Sequence, residues 1–433
     1  MRFKETLRQL MRWLTPGLGV KRWLALILLG ITLLGVGLAY FLLDIYRTAP
    51  ETWWLPSLSY LSLRFLPRPI RIIIFGGIGI GLVSYGIWGL NHTLLRPFMR
   101  PGKLIVDELS SYQQRGRGAH IVVIGGGHGL STLLRGLKAY THNLTAVVTV
   151  ADDGGSSGKL RESMGILPPG DIRNCLSALS NDETMMTQLF QYRFSGTDGL
   201  GGHSFGNLFI SALSNITGSF EEAIAESGRV LSVHGRVLPS TLHNVKLVAD
   251  MILPHSAYEV RVEGESKIPA FEGRVRRVWL EPNDAPAFPP VIKAILAADV
   301  IVIGPGSLYT SILPNLLVAD LLSAIKASRA LKLFVCNIAS QAGETDAYSC
   351  HDHLTALESH TGKNLVEFVI ANDCQEATLP KNTTWTEIGD ELSGDRRLYT
   401  ADLLDREHPW RHDAEGLAQT IMDLYAERTG SMV

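Results

Sequence analysis

The sequence predicts an α/β protein: a doubly wound, mostly parallel sheet with a β-rich insertion, preceded by two transmembrane helices. Three observations predict it. From His120 onward, short and continuously apolar runs alternate with helical patterns. Several of those runs stop at polar, Gly-rich turns. Ahead of them stand two long runs without a charge.

The 433 residues carry 40 Lys/Arg and 42 Asp/Glu, a formal net charge of −2. That near-neutral total hides a split. Residues 1–117 hold 15 Lys/Arg against 5 Asp/Glu, leaving 25 against 37 in the remainder. Such asymmetry indicates two bodies in different surroundings. The acidic larger part argues against a nucleic-acid partner. With 46% apolar and 19% charged residues, disorder and a collagen-like fibre are excluded. Cys175, Cys336, Cys350 and Cys374 stand far apart with no CxxC pair. That favours a reducing compartment over a disulfide framework or a zinc site.

Residues 1–22 read as a basic arm, 23–43 and 72–90 as transmembrane helices, 44–71 as their loop, and 91–118 as a juxtamembrane linker. Trp23 to Leu43 is 21 uncharged residues, enough at about 1.5 Å per residue to cross a hydrocarbon core of about 30 Å. Ile72 to Leu90 adds 19 more; its glycines allow close helix packing in lipid. A cleaved leader fits less well, because the first run is too long, lacks an A-x-A site and is followed by a second span. Arg2, Lys4, Arg8, Arg12, Lys21 and Arg22 precede the pair, and Arg96, Arg100, Lys103, Arg115 and Arg117 follow it. The loop holds Arg47, Arg64, Arg68 and Arg71. The heavier flanks put both ends, and the large domain at 119–433, on the cytoplasmic side of the cell membrane.

HIVVI (120–124) stops at Gly125-Gly126-Gly127-His128-Gly129, LSTLLRGLKAY follows with helical spacing, and LTAVVTV (144–150) is a second strand. This is a β-loop-α-β unit with buried parallel strands. The pattern recurs where DVIVI (299–303) runs into Gly304-Pro305-Gly306-Ser307, and where LKLFV (331–335) runs into Cys336-Asn337. VEFVIA (366–371) adds another strand. Between about 229 and 280, VLSVHGRVL, NVKLVADMI, YEVRVEG and RVRRVWL are short and β-like. They predict an antiparallel extension or cap over a site.

Glycines at a strand exit let backbone N–H groups approach an anion, and the next helix adds its positive end. Gly125 to Gly129 is therefore a candidate diphosphate cradle, although its spacing departs from G-x-G-x-x-G and it is no Walker A loop. Gly304, Gly306 and Ser307 form a second candidate nest. Asp152 and Asp153, at the end of the second strand, fit three roles: ribose hydroxyls, a metal ion beside phosphates, or an Asx-type turn. Asp171, after Pro168-Pro169-Gly170, has the position of a helix N-cap, with Asn174 one turn on. His203 and Asn207 stand four apart at another helix start. His351-Asp352-His353 reads as a solvated helix start, because adjacent helical residues diverge. Strand exits of an open parallel sheet share one edge, so these loops are expected to make one site.

Together IGGGHGLS, TVADDGGSSGKLR, PPGDIRNCLSALS, GHSFGNL, IGPGSLYTSILPNLL and CNIASQAGETD resemble the gluconeogenesis factors, the YvcK-like proteins. Those bind uridine-diphosphate sugars and are similar in fold to the 2-phospho-L-lactate transferases, giving a YvcK/CofD-like superfamily. The resemblance spans about 119–433. It implies a Rossmann-like domain with Gly125, Gly126, Gly127, His128 and Gly129 at the diphosphate. It puts Asp152, Asp153, Asp171, Asn174, Asn207 and Ser307 in the surrounding pocket. Arg411 matches a basic element of the family and would pair with phosphate; otherwise it is a surface Arg beside the N-cap Asp413. Two departures stand out. His128 replaces the family's usual Thr, which implies pH sensitivity near neutrality, and the membrane spans are extra.

The resemblance implies a non-catalytic regulator that binds a UDP-sugar such as UDP-N-acetylglucosamine and couples gluconeogenic carbon supply to envelope growth and cell shape. No cofactor is required. Partner proteins in the envelope machinery and a homo-oligomer are allowed by this reading. The alternative is a transferase like the 2-phospho-L-lactate transferases, with Mg²⁺ held by Asp152 and Asp153.

Overall fold

The computed structural model describes residues 118–430 apart from 181–184, 197–198, 254–257 and 382, together with 115–116 and scattered positions between 31 and 85. The basic arm lies outside the described residues, and so do most of both expected spans, their loop and the linker. Among the described residues, no single helix is long and apolar enough to cross a membrane. Arg115 to Val433 form one compact unit.

In that unit β1 (Ile121–Gly125) is apolar throughout because both faces of the strand are covered. Ile121 and Val123 enter the core on one side of the sheet, Val122 and Ile124 the core on the other. α1 (Gly127–Leu137) buries Leu130, Leu133, Leu134 and Leu137 against the first of these. Then come β2 (Leu144–Val148), α2 (Gly155–Met164), α3 (Gly170–Leu179), α4 (Met185–Gln191), α5 (Phe205–Thr217), α6 (Phe220–Val230) and β3 (Arg236–Pro239). β4 (Lys246–Ile252), β5 (Glu259–Glu263) and β6 (Arg274–Glu281) form a small antiparallel sheet in the order β5-β4-β6. The chain returns through α7 (Pro289–Leu296), β7 (Val300–Ile303), α8 (Leu313–Leu316), α9 (Ala319–Ala327) and β8 (Leu331–Val335). α10 (Cys350–Thr361), β9 (Phe368–Asn372), β10 (Leu398–Ala401) and α11 (Ala414–Thr429) complete it.

Seven strands make one parallel sheet in the order β10-β9-β8-β7-β1-β2-β3. The chain winds outward from β1 to β3, crosses back to β7 on the other side of β1, and winds outward again to β10. Winding therefore reverses between β1 and β7, where the loops after the two strands part and leave a crevice. β1 pairs with β7 from Ile121↔Val300 to Ile124↔Ile303, so Gly125 and Gly304 leave the sheet level with each other. α1, α3 and α11 cover one face; α7, α9, α10 and the antiparallel sheet cover the other.

The β-rich stretch divides differently from expectation. VLSVHGRVL is no part of the insertion. Its first residue ends α6, which Ser219 starts by accepting the Glu222 N–H. Arg236–Pro239 pairs parallel with β2 as an edge strand of the main sheet. Ala223, Ile224 and Ser227 make a narrow buried face on α6, while Val230, Leu231 and Val233 at and after its end mimic a strand. Only residues from Lys246 onward form the antiparallel unit. At α10, Asp352 closes a capping box with Ser349, but His353 is buried rather than solvated.

Gly136 lets α1 and α11 touch: a Cβ there would run into the Ala414 carbonyl and stand 2.7 Å from Ala418 Cβ. Gly136→Val is expected to destabilise the unit by about 1–3 kcal/mol, the usual cost of overpacking. Denaturant unfolding followed by circular dichroism checks it, and an unchanged midpoint would contradict the close approach.

Candidate functional site

The loops leaving β1, β2, β7 and β8 open into one cleft of about 630 Å³ at the carboxyl ends of the strands. β1 sends Gly126, Gly127, His128, Gly129 and Thr132 to it. Thr149 and Asp152 come from the β2 exit, Pro305, Gly306, Ser307, Thr310 and Ser311 from the β7 exit, and Asn337 to Ala342 from the β8 exit. Asp171, Glu265, Trp410, Arg411 and His412 join them from α3, the antiparallel cap and the loop before α11.

Gly127 has φ +64°, a left-handed conformation that side chains resist. α1 starts there with no acidic residue of its own in the first turn, although the Asp171 carboxylate takes the Gly127 N–H. Gly129 matters through close approach: a Cβ would stand 2.6 Å from the Pro305 carbonyl oxygen. The β1 and β7 loops are thus in backbone contact. Across that contact, Asn337 accepts the Gly306 N–H at 3.1 Å and donates to the Gly306 carbonyl at 2.9 Å. The Ser307 hydroxyl donates to Gln341 at 2.6 Å. Two amide-lined loops therefore face one space, an arrangement that suits an anion with several oxygens.

Asp171 is the second residue of α3, not its N-cap; Pro169 has that position. Its carboxylate instead accepts the Gly127 N–H. Asp152 accepts the Gly154 N–H at 2.8 Å, the Asx turn expected of it, and still faces the cleft. Asp153 does not. Its carboxylate takes the Ser266 N–H at 2.8 Å and fastens the turn that carries Glu265. The Asp152/Asp153 pair therefore does not converge on the cleft, and only Asp152 of the two lines it.

Gly125 and Gly304 shape the strand exits without lining the cleft. Asn174 and Asn207 are buried and do not line it. Asn174 accepts from Arg173 at 2.8 Å. Asn207 donates to the Ser156 hydroxyl at 3.0 Å, and Ser156 also meets His203 Nδ1 at 3.0 Å. Gly154–Gly158 and Gly202–Gly206 both have G-x-S-x-G spacing. Their serines are buried and engaged, Ser156 as above and Ser204 as the cap of α5, so neither is presented as a nucleophile elbow. Sequence reasoning missed Glu265 and Trp410. Glu265 had a signal in its place within a predicted cap, and Trp410 in its place next to Arg411.

Charge is unevenly distributed. Burial, then Asp152, pushes the Asp171 carboxyl up to about 6. Burial, then Asp152 and Asp171, pushes Glu265 up to about 8. Burial pushes Glu344 up to about 7, although the Thr310 hydroxyl and the Tyr309 N–H donate to it. Burial also raises Asp152. His128 moves the other way, lowered by burial and then by Arg411, Arg173, Arg135 and Arg193. The sensitivity near neutrality expected from His128 is thereby displaced to lower pH in the free cleft.

A family model described as 2-phospho-L-lactate transferase CofD matches residues 121–428. The gluconeogenesis factor of Bacillus subtilis is 48% identical over 328 residues, covering 72% of this chain and all of its own length. That of Halalkalibacterium halodurans is 44% identical over 313 residues, 70% of this chain and 96% of its own. A crystal structure of a UPF0052 family member from Bacillus halodurans superposes with a TM-score of 0.65 at 40% identity, covering 70% of this chain and 99% of that one.

Asp171, Glu344 and Glu265 all hold their protons more tightly folded than unfolded. Stability from such groups is complete below their unfolded values and is lost as pH rises through the folded ones. The unfolding midpoint of the free chain is expected to fall between about pH 4 and pH 8, and Glu265→Gln to flatten the upper part of that slope. Calorimetric scans at stepped pH measure it; a midpoint that rises across the window would refute the burial of these acids.

Proposed function

The chain belongs to the CofD family, alongside the gluconeogenesis factors, and we propose that it is a membrane-anchored regulatory protein that binds a UDP-sugar. A ligand such as UDP-N-acetylglucosamine would report carbon supply, gluconeogenesis in particular, to envelope growth and cell shape through partners in that machinery. The observation that supports this most is the joint placing of the α1 amides and Arg411 on one cleft where the winding of the sheet reverses. Diphosphate binding at such a helix start is expected on electrostatic grounds. The two-span N-terminal anchor rests on the uncharged runs and their basic flanks. The described positions within 72–90 are helical and include exposed Ile73, Ile78 and Ile80, which suits a hydrocarbon surrounding.

The family description favours a second reading, a 2-phospho-L-lactate transferase-like enzyme. There Mg²⁺ beside Asp152 would neutralise charge on phosphate oxygens. The two readings differ in the sign of their pH dependence. A diphosphate alone raises the proton affinity of Asp171 and His128, so its binding strengthens as pH falls. A bound cation competes with those protons, so Mg²⁺-assisted binding strengthens as pH rises.

Titration calorimetry of the purified full chain in detergent with UDP-N-acetylglucosamine is expected to give saturable heat without Mg²⁺, tighter at lower pH. Gly127→Val is expected to lose it, because a β-branched residue is strained at φ +64° and fills the space before α1. Absence of saturable heat with every UDP-sugar ends the regulatory reading. Turnover of a phospholactate-like acceptor with a nucleoside-diphosphate donor and Mg²⁺, lost in Asp152→Asn, would establish the enzyme instead. Resistance of the full chain to alkaline carbonate extraction is expected from the anchor; release into the supernatant would remove it.

A further inference from the structure

We infer that Ser307 is a specificity residue that accepts a hydrogen bond from a hydroxyl or amide N–H of the ligand, and that Glu344 is the positioning residue that fixes this polarity through Gln341. This rests on the UDP-sugar reading above and adds to it the kind of ligand atom that the β7 exit reads.

A chain of hydrogen bonds runs from the core to the cleft. Glu344 is 3% exposed and does not line the cleft. The Tyr309 N–H donates to its Oε2 at 3.3 Å. The Thr310 hydroxyl and Gln341 Nε2 donate to its Oε1 at 2.8 Å each. Gln341 Oε1 in turn accepts the Ser307 hydroxyl at 2.6 Å. Ser307, Thr310 and Gln341 all line the cleft. An ionised carboxylate only accepts, so the part of the Gln341 amide that meets it is the NH2, and the carbonyl is left for Ser307. A hydroxyl has one proton, and that of Ser307 is committed inside the protein. What Ser307 offers a ligand is its lone pairs, which take a donor and repel a phosphate oxygen.

Ser307 directly follows Gly306, where a Cβ would stand 3.3 Å from the Gly126 carbonyl oxygen. The hydroxyl therefore belongs to a loop packed against the start of α1. A diphosphate at the α1 amides brings the groups esterified to it close by, and those groups carry the hydroxyl and amide donors that Ser307 can accept. Glu344→Gln turns the chain of bonds over without changing its shape. The Tyr309 N–H is a backbone donor with no alternative, so it keeps the new carbonyl at the Oε2 position. The new NH2 then stands at the Oε1 position and donates. Gln341 must turn its carbonyl to that NH2 and its own NH2 to Ser307. The Ser307 proton is released, and the same hydroxyl becomes a phosphate donor.

The test compares UDP-N-acetylglucosamine, UDP and inorganic pyrophosphate on the full chain in detergent. Burial pushes Glu344 up to about 7, so affinities are measured at about pH 8.5, where such a group is ionised. Ser307→Ala is expected to weaken the UDP-sugar by about tenfold, as for one lost hydrogen bond. Pyrophosphate, which has no sugar or base donor, is expected to bind no more weakly. An equal loss with UDP places the donor on the nucleoside, and a loss with the UDP-sugar alone places it on the sugar. Glu344→Gln is expected to weaken the UDP-sugar by a similar factor, to tighten pyrophosphate, and to add nothing to Ser307→Ala in the double variant. Ser307→Ala decides alone if Glu344→Gln fails to fold. If Ser307→Ala weakens pyrophosphate as much as the UDP-sugar, or weakens neither, the polarity is overturned while UDP-sugar binding stands. Additive losses in the double variant remove Glu344 from the role. If the natural chain binds no UDP-sugar, both fall together.

Discussion

Everything at the cleft depends on how closely two loops pass where the sheet changes its direction of winding. Gly129 meets the backbone of Pro305 with no room for a side chain, and β1 lies beside β7 in a register that brings Gly125 and Gly304 out together. Hydrogen bonds from Asn337 to both polar groups of Gly306 hold the second loop in place. A larger residue at 129 would separate the loops and divide one amide-lined space into two unrelated turns. The strand order matters for the same reason. Had β7 been added outside β3, its glycine loop would have been three strands away from the first.

Much of this was legible in the sequence because each strand of a sheet covered on both faces must be apolar along its whole length. HIVVI, LTAVV, VIVI and LKLFV needed no periodicity to be recognised, and the Gly-rich punctuation after them marked the functional edge. The misreadings have a common cause. α6 and β3 lie next to each other in sequence, and the β-branched residues between them carry no mark of which sheet they join. Only the parallel pairing Thr145↔Arg236 through Val148↔Pro239 decides it. Local spacing suits Asp171 to a cap, whereas its actual partner is the Gly127 N–H, which only the folded chain brings near. Adjacency pairs Asp153 with Asp152, but successive residues in a turn point apart, and one faces the cleft while the other fastens the cap.

That cap gives the antiparallel sheet a purpose beyond burying Leu247, Ala249 and Met251. Through Asp153 and the Ser266 N–H it carries Glu265 to the edge of a cleft built by the parallel sheet. The wall that faces the ligand is thus assembled from two sheets and anchored by a residue that does not itself line the cleft. Loss of the Asp153 anchor would leave the Gly-rich loops intact and remove one acid from the cleft.

The protonation of the cleft acids decides what they can hold. At neutral pH a carboxyl near 8, such as Glu265, is mostly uncharged, and one near 6, such as Asp171, is mostly ionised. Protonating Asp171 one unit above its midpoint costs about 1.4 kcal/mol. That is small beside what several amides and a guanidinium contribute to a bound diphosphate. The acids therefore do not exclude an anionic ligand, provided its charge stays at the amides and at Arg411. A neutral Glu265 both donates and accepts, and burial makes Asp152 too hold its proton more tightly than a free carboxyl. A neutral polyol satisfies such groups in either state, whereas a phosphate placed there is repelled by whichever of them is ionised. Burial first, and then Arg411, Arg173, Arg135 and Arg193, lower the basicity of His128, and those arginines make that corner electropositive without an added proton. Phosphate is drawn to that corner, where the Asp171 carboxyl already takes the Gly127 N–H, so an arriving anion displaces that carboxyl or drives its protonation.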